Sequence, residues 1–201
     1  MNKLSVRAGA GAFLLVTILF LLGDAWSIAA VLLPVAVHEL GHLLAFWLLG
    51  LSLRGLRFEL RGLCLEFGGS TGALGYTAAA AAGPAAGIAF AFAVSRVGNR
   101  LGSDWLCLTA GVSLLLSLFN LLPALPLDGG TILFHLSRVV LGDKRGALLT
   151  EASGLIVGAA LLGGGFYLMT NGRGAALSLA AIWLLLAQED GRGLVKRREM
   201  I

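Results

Sequence analysis

Apolar residues are gathered into six long blocks along the chain, and polar residues lie mainly between these blocks. A helix that crosses a bilayer needs about 20 largely apolar residues, with a range of about 17 to 25. A shorter block can be accommodated where the bilayer thins locally. The blocks are Ala8–Gly23, Trp26–Leu49, Gly75–Ser95, Trp105–Leu125, Ala147–Met169 and Gly174–Ala187. The pattern predicts an all-α polytopic membrane protein with about six transmembrane helices.

A segment between the second and third blocks follows a different period. Leu56, Phe58 and Leu60 alternate with charged residues, and a second alternating run follows Gly62. Alternation with a period of two indicates β-strands. We therefore expect a short β-hairpin-like segment between helices 2 and 3. It is either a loop at the membrane surface or an edge along which an extended peptide can pair.

The composition favours the same class of protein. Of the 201 residues, 58% are apolar and only 13% are charged, whereas a soluble domain carries about 25% charged residues. The 29 glycines suit helices that approach one another closely in a membrane. Two cysteines exclude a disulfide-rich secreted scaffold. The net charge of +4 does not indicate nucleic-acid binding, because the basic residues lie between apolar blocks.

The distribution of lysine and arginine predicts the orientation in the membrane. With six helices, both termini and the second and fourth connections share one side, and 12 of the 15 basic residues fall there. Basic residues are enriched on the cytoplasmic side. We therefore expect both termini in the cytoplasm, an intramembrane domain over residues 1–187 and a charged cytoplasmic tail over residues 188–201. We also expect the first block to be retained and not removed as a signal peptide.

The second apolar block contains three ionisable residues within five positions. His38, Glu39 and His42 form the pattern H-E-x-x-H. Ionisable groups inside a membrane span are energetically costly and commonly mark a functional site. In a helix, positions four apart lie on one face, so both imidazoles can bind one metal ion, and zinc suits such ligands. Glu39 lies about 100° around the helix from His38, where its carboxylate can take a proton from water.

A catalytic zinc site normally has three protein ligands, so a further ligand is expected. Asp128 is the best candidate, because the fourth block ends near it and runs towards the same side of the membrane as the second block. Pro123 and Pro126 are expected to break the helix. Gly129 and Gly130 are expected to permit a tight backbone turn that directs the carboxylate inwards.

The two motifs, H-E-L-G-H and the stretch Asn120–Gly130 that ends P-L-D-G-G, resemble those of the site-2 protease family of intramembrane zinc metalloproteases. The resemblance is greatest to the small bacterial branch that processes sporulation sigma-factor precursors. It extends from about Val31 to Gly130.

This resemblance implies specific roles for the matched residues. His38, His42 and Asp128 would bind one zinc ion per chain, Glu39 would be the catalytic base, and Asn120 would hold the substrate or the oxyanion. The implied activity is hydrolysis of peptide bonds within or next to transmembrane segments. The implied partners are a transmembrane protein substrate and the lipid bilayer, without nucleic acid, in a bacterial cell membrane.

Three alternatives remain open at this stage. Glu151 is a second candidate for the third ligand, as in membrane proteases that use a downstream glutamate. The side-chain amide of Asn120 is equally suited to a hydrogen bond that joins two helices. A metal transporter or a zinc-binding scaffold without proteolytic activity would also use the histidine pair.

Overall fold

The structure, a computed structural model, describes residues 5–8, 24–59, 62–68, 71–170 and 177–187. This part of the chain contains six helices and three strands. The helices are α1 (Ala25–Leu48), α2 (Ala73–Leu101), α3 (Asp104–Asn120), α4 (Asp128–Leu141), α5 (Asp143–Met169) and α6 (Leu177–Ala187). The strands are β1 (Ser5–Ala8), β2 (Ser52–Glu59) and β3 (Gly62–Gly68). The chain divides into two compact units, Met1–Phe119 and Asn120–Ile201.

Five of the predicted blocks coincide with helices, namely α1, α2, α3, α5 and α6. Within the described residues, α1, α2 and α5 are long and apolar enough to cross a membrane, whereas α3 and α6 are shorter apolar helices. The first predicted block lies almost entirely outside the described residues. Its first residue, Ala8, belongs to β1.

The end of the fourth predicted block is wrong, and a further helix follows it. The apolar block extends to Leu125, but α3 ends at Asn120, just before the prolines that were expected to break the helix. Pro123 explains the earlier end, because a proline disfavours helical backbone at the residue before it. After an irregular loop, α4 begins at Asp128 and has 14 residues, which is too short to be counted as a span by the length criterion.

The strands form one sheet in the order β1-β2-β3. Strands β2 and β3 pair antiparallel at the position of the predicted hairpin, with Arg57 opposite Cys64. Strand β1 pairs parallel with β2, with Ser5 opposite Gly55. The predicted fold, all-α with one hairpin-like segment, therefore did not include strand β1. A parallel pairing between residues so distant in sequence leaves no local pattern.

Small residues line the buried faces in the first unit, and large apolar side chains point outwards. The buried positions of α1 recur every four residues, at Ala30, Pro34, His38 and His42. On the same helix, Leu40, Leu44 and Trp47 are 57–73% exposed. The neighbouring α2 buries mostly alanine and glycine. Small buried residues with large exposed apolar ones suit helices that pack within lipid.

The N-terminus of α1 is capped by Asp24, whose side chain accepts a hydrogen bond from the Ser27 backbone N–H at 3.3 Å. Hydrogen bonding from Ser27 holds the pKa of the exposed Asp24 carboxyl below its ordinary value. This cap satisfies one of the backbone donors that a helix start leaves open and fixes the beginning of the histidine-bearing helix.

In the second unit, α4 and α5 form a close pair around Gly146. The Ser137 hydroxyl donates to the carbonyl of Gly146 at 3.1 Å, and the Thr150 hydroxyl donates to the same carbonyl at 3.0 Å. A Cβ atom on Gly146 would lie 2.6 Å from the backbone nitrogen of Arg138. The absence of a side chain at this position therefore allows the two helices to meet.

We predict that Gly146→Ala destabilises the protein by about 1–3 kcal/mol, because backbone atoms must shift to admit the methyl group. Gly163→Ala on the same helix is the matched control, since a Cβ there meets nothing within 4 Å, and alanine favours helix by about 0.5–1 kcal/mol. Thermal unfolding in detergent measures both changes. Equal effects of the two substitutions would contradict the packing described for α4 and α5.

Candidate metal centre

The two histidines of H-E-x-x-H lie on one buried face of α1, as their spacing predicts. His38 and His42 are 4% and 8% exposed. Their Nε2 atoms are 3.2 Å apart, and their rings meet edge to face at an interplanar angle of 79°. Two nitrogens bound to one tetrahedral zinc at about 2.0–2.1 Å lie about 3.3 Å apart. The pair is therefore spaced as a shared metal ion requires.

The orientation of the His42 ring is fixed by α2. The Nδ1–H of His42 donates a hydrogen bond to the carbonyl oxygen of Ala79 at 2.8 Å. A neutral imidazole protonated at Nδ1 has its lone pair at Nε2, which is the atom that faces His38. Such a hydrogen bond on the distal ring nitrogen is the usual means of orienting a metal-binding histidine.

Two glycines allow α1 and α2 to approach closely enough for that contact. A Cβ on Gly83 of α2 would lie 2.7 Å from Cδ2 of His42 and closer still to Nε2. A Cβ on Gly41 of α1 would lie 2.7 Å from the carbonyl oxygen of Ala82. Sequence reasoning missed both as site residues. The abundance of glycine indicated close helix contacts, but not that one of them surrounds a histidine ring.

Asp128 is the first residue of α4 and is half-buried. It follows a loop in which the N–H of Ala124 donates to the carbonyl of Leu122 at 2.8 Å and that of Leu127 donates to Ala124 at 2.9 Å. The prediction that a glycine turn directs the carboxylate is wrong, because Gly129 and Gly130 are helical. Their buried backbones instead lie against the preceding loop.

The two imidazole nitrogens are donors that zinc accepts, and a carboxylate oxygen is a suitable third ligand, so these residue types fit the predicted ion. Asp128 as the third ligand, with Glu151 as the alternative, stays a prediction. Glu39 is half-buried beside the histidines in sequence, and Asn120 is a half-buried residue at the end of α3.

The chain has sequence similarity to a peptidase family and to one curated relative. Residues 101–163 match the family model of Peptidase family M50. A curated relative from Synechocystis sp., which carries the name of a zinc metalloprotease, is 32% identical over 122 residues. That match covers 57% of this chain and 32% of the relative, so the chain spans about a third of the length of that protein.

The fold is also similar to a solved structure. The site-2 protease from Methanocaldococcus jannaschii matches with a TM-score of 0.70 and 20% sequence identity, over 94% of this chain and 92% of that one. These similarities agree with the family that the two motifs indicated. Membership of that family, and of its sporulation branch, stays a prediction. Apolar helices of sufficient length together with these similarities support an integral membrane protein.

We predict that Gly83→Ala weakens zinc binding by about tenfold or more, a typical effect of disturbing a ligand's supporting contacts. The added methyl group displaces the His42 ring and separates Nδ1 from the Ala79 carbonyl. Gly111→Ala on α3 is the control, because a Cβ there meets nothing within 4 Å. Chelator competition measures the dissociation constant of zinc. Unchanged zinc affinity with unchanged helix content would contradict the role of Gly83 in leaving room for the His42 ring.

Proposed function

We propose that the chain, whose residues 101–163 match the model of Peptidase family M50, is an intramembrane zinc endopeptidase. Its substrates are membrane proteins, and it hydrolyses peptide bonds within or next to their transmembrane segments. The observation that carries this proposal is the buried pair of His38 and His42, whose Nε2 atoms lie 3.2 Å apart. Ionisable groups are seldom gathered in a membrane helix without a functional reason.

We propose that His38, His42 and Asp128 hold one zinc ion, through the two Nε2 atoms and one carboxylate oxygen of Asp128. When bound, zinc polarises the scissile carbonyl and makes water a stronger nucleophile at neutral pH. The Ala79 carbonyl keeps the His42 proton on Nδ1, so Nε2 stays available as a ligand. Burial of both histidines limits the access of bulk water to these nitrogens.

Glu39 is the proposed general base. It is adjacent to His38 in α1 and therefore projects about 100° away from it around the helix axis. That direction keeps its carboxylate next to the histidine pair without making Glu39 one of the proposed zinc ligands. A carboxylate oxygen of Glu39 takes the proton of the attacking water and later delivers it to the leaving amine.

Asn120 is the proposed substrate-holding residue. It is the last residue of α3 and is half-buried, so its side-chain amide lies where regular helix gives way to the loop before Asp128. An amide N–H at such a position can donate to the carbonyl oxygen of the substrate, where negative charge develops during hydrolysis. This role is proposed from the family motif and from the position of the residue.

We propose that the chain crosses the membrane six times, with residues 1–187 as the protease domain and residues 188–201 as a cytoplasmic tail. Helices α1, α2 and α5 meet the length expected of spans. The bias of lysine and arginine supports cytoplasmic termini, and the bacterial cell membrane is the proposed location. The lipid bilayer and a transmembrane protein substrate are the partners this arrangement requires.

Reporter fusions in a bacterial host test this orientation. We predict that alkaline phosphatase fused after Ile201 is inactive, because the enzyme folds only outside the cytoplasm. A fusion after Gly102, between α2 and α3, should be active and provides the control. Activity of the C-terminal fusion would contradict the proposed topology while leaving the metal site untouched.

We predict that Glu39→Gln lowers cleavage by at least about 10²-fold, in line with the loss of a positioned general base, and retains zinc. Glutamine has nearly the same shape as glutamate but cannot take the proton. The experiment reconstitutes wild type and variant in liposomes with a membrane-spanning test peptide. It measures cleavage and zinc per chain in the same samples.

The outcomes separate the proposal from its rivals. Wild-type cleavage that is lost in Glu39→Gln supports the endopeptidase. Appreciable cleavage by the variant would remove Glu39 from its role. Zinc moving into the vesicles without cleavage would indicate a transporter, and zinc bound without either activity would indicate a scaffold.

A further inference from the structure

A hydroxyl group on α5 contacts the loop that leads to Asp128. The Ser153 Oγ–H donates to the backbone carbonyl of Pro123 at 2.6 Å. The same hydroxyl lies 2.9 Å from the carbonyl of Thr150 in its own helix. A serine hydroxyl has one proton, so the two carbonyls share it, and the shorter contact is the one to the loop. Nothing in the chemistry proposed above uses Ser153.

The composition of the loop explains why the Pro123 carbonyl takes a donor from another helix. In a tight turn, a carbonyl is ordinarily satisfied by the N–H three residues later. Here that residue is Pro126, which has no N–H. The next backbone donor, Leu127 N–H, is used by the carbonyl of Ala124 at 2.9 Å. Ser153 therefore donates the hydrogen bond that the backbone N–H groups at Pro126 and Leu127 do not provide.

Pro123 is exposed, and at membrane depth an exposed carbonyl has no water to replace a lost partner. The loop is thus expected to stay where Ser153 can reach it. A substitution that removes the hydroxyl releases this constraint and lets the loop move to find another donor.

The loop is coupled directly to the start of α4. A Cβ on Gly129 would lie 2.6 Å from the carbonyl oxygen of Leu122, and a Cβ on Gly130 would lie 2.6 Å from that of Ala124. With no side chain between them, the first turn of α4 rests on the loop backbone. A displacement at Pro123 is therefore transmitted to Asp128, because close-packed backbone does not absorb it.

We propose that Ser153 is a positioning residue for Asp128, which it holds in place for metal binding through the Pro123 carbonyl. This inference rests on the proposed function, in which Asp128 is a zinc ligand. Ser153 does not contact the ion or the substrate in this role. Its contribution is to keep the carboxylate at the location that the histidine pair requires.

The test measures the zinc dissociation constant of the full chain in detergent by chelator competition. Ser153→Ala should weaken zinc binding by about tenfold, within the range typical of residues that support metal ligands. Ser153→Thr retains the hydroxyl and should bind zinc as wild type does. Alanine is a better helix former than serine, so a weakened site cannot be ascribed to a less stable α5.

A matched control removes another hydroxyl close to the same helix. The Thr170 hydroxyl donates to the Tyr167 carbonyl at 2.6 Å, away from the loop, so Thr170→Val should leave zinc affinity unchanged. If Ser153→Ala cannot be purified, Ser153→Cys is used in its place, because a thiol of similar size is a weak donor. It should show the same direction of change.

A double-mutant cycle with Asp128→Ala separates positioning from a general structural role. If Ser153 acts through Asp128, adding Ser153→Ala to Asp128→Ala causes no further loss of affinity. Additive losses, or wild-type affinity in Ser153→Ala, would overturn the inference about Ser153 alone. Wild-type affinity in Asp128→Ala would instead overturn the ligand set of the proposed function.

Discussion

The close approach of α1 and α2 is the constraint on which the candidate site depends. Gly41 and Gly83 lack the atoms that would separate the two backbones, and the Ala79 carbonyl then reaches Nδ1 of His42. A buried imidazole needs a partner for its N–H, and a metal ligand needs its lone pair directed at the ion. The hydrogen bond from His42 to Ala79 meets both needs. It forms only because glycines lie where α1 and α2 meet.

The site was predictable where its chemistry is local in sequence. The four-residue spacing of His38 and His42 places both rings on one face of any helix, and the structure has them 3.2 Å apart. Asp128, the ligand chosen from the proline-interrupted motif, stays a prediction. The groups that orient these ligands were not predictable, because the partner of His42 is the backbone of Ala79, and a carbonyl is present at every residue.

The fold shows the same division between local and distant information. Long apolar blocks gave the positions of α1, α2 and α5, since length and composition suffice to recognise a spanning helix. The break near Pro123 was expected, but the apolar block overestimated the extent of α3, because apolar character continues past Asn120. Helix α4 was not among the predicted blocks, because its 14 residues are too few for a span. Strand β1 was missed, because its partner in the parallel pair lies far along the chain. A turn was expected at the glycines after Asp128, but they allow close packing instead.

The proposed metal centre has two imidazoles and one carboxylate that hold a single zinc ion. Zinc-edge X-ray absorption of the purified full chain examines this ligand set, because scattering from imidazole rings can be counted. We expect one zinc per chain with two imidazole nitrogens at about 2.0–2.1 Å and oxygen completing the coordination. A zinc environment with fewer than two imidazoles, or a protein that takes up no zinc, would contradict it.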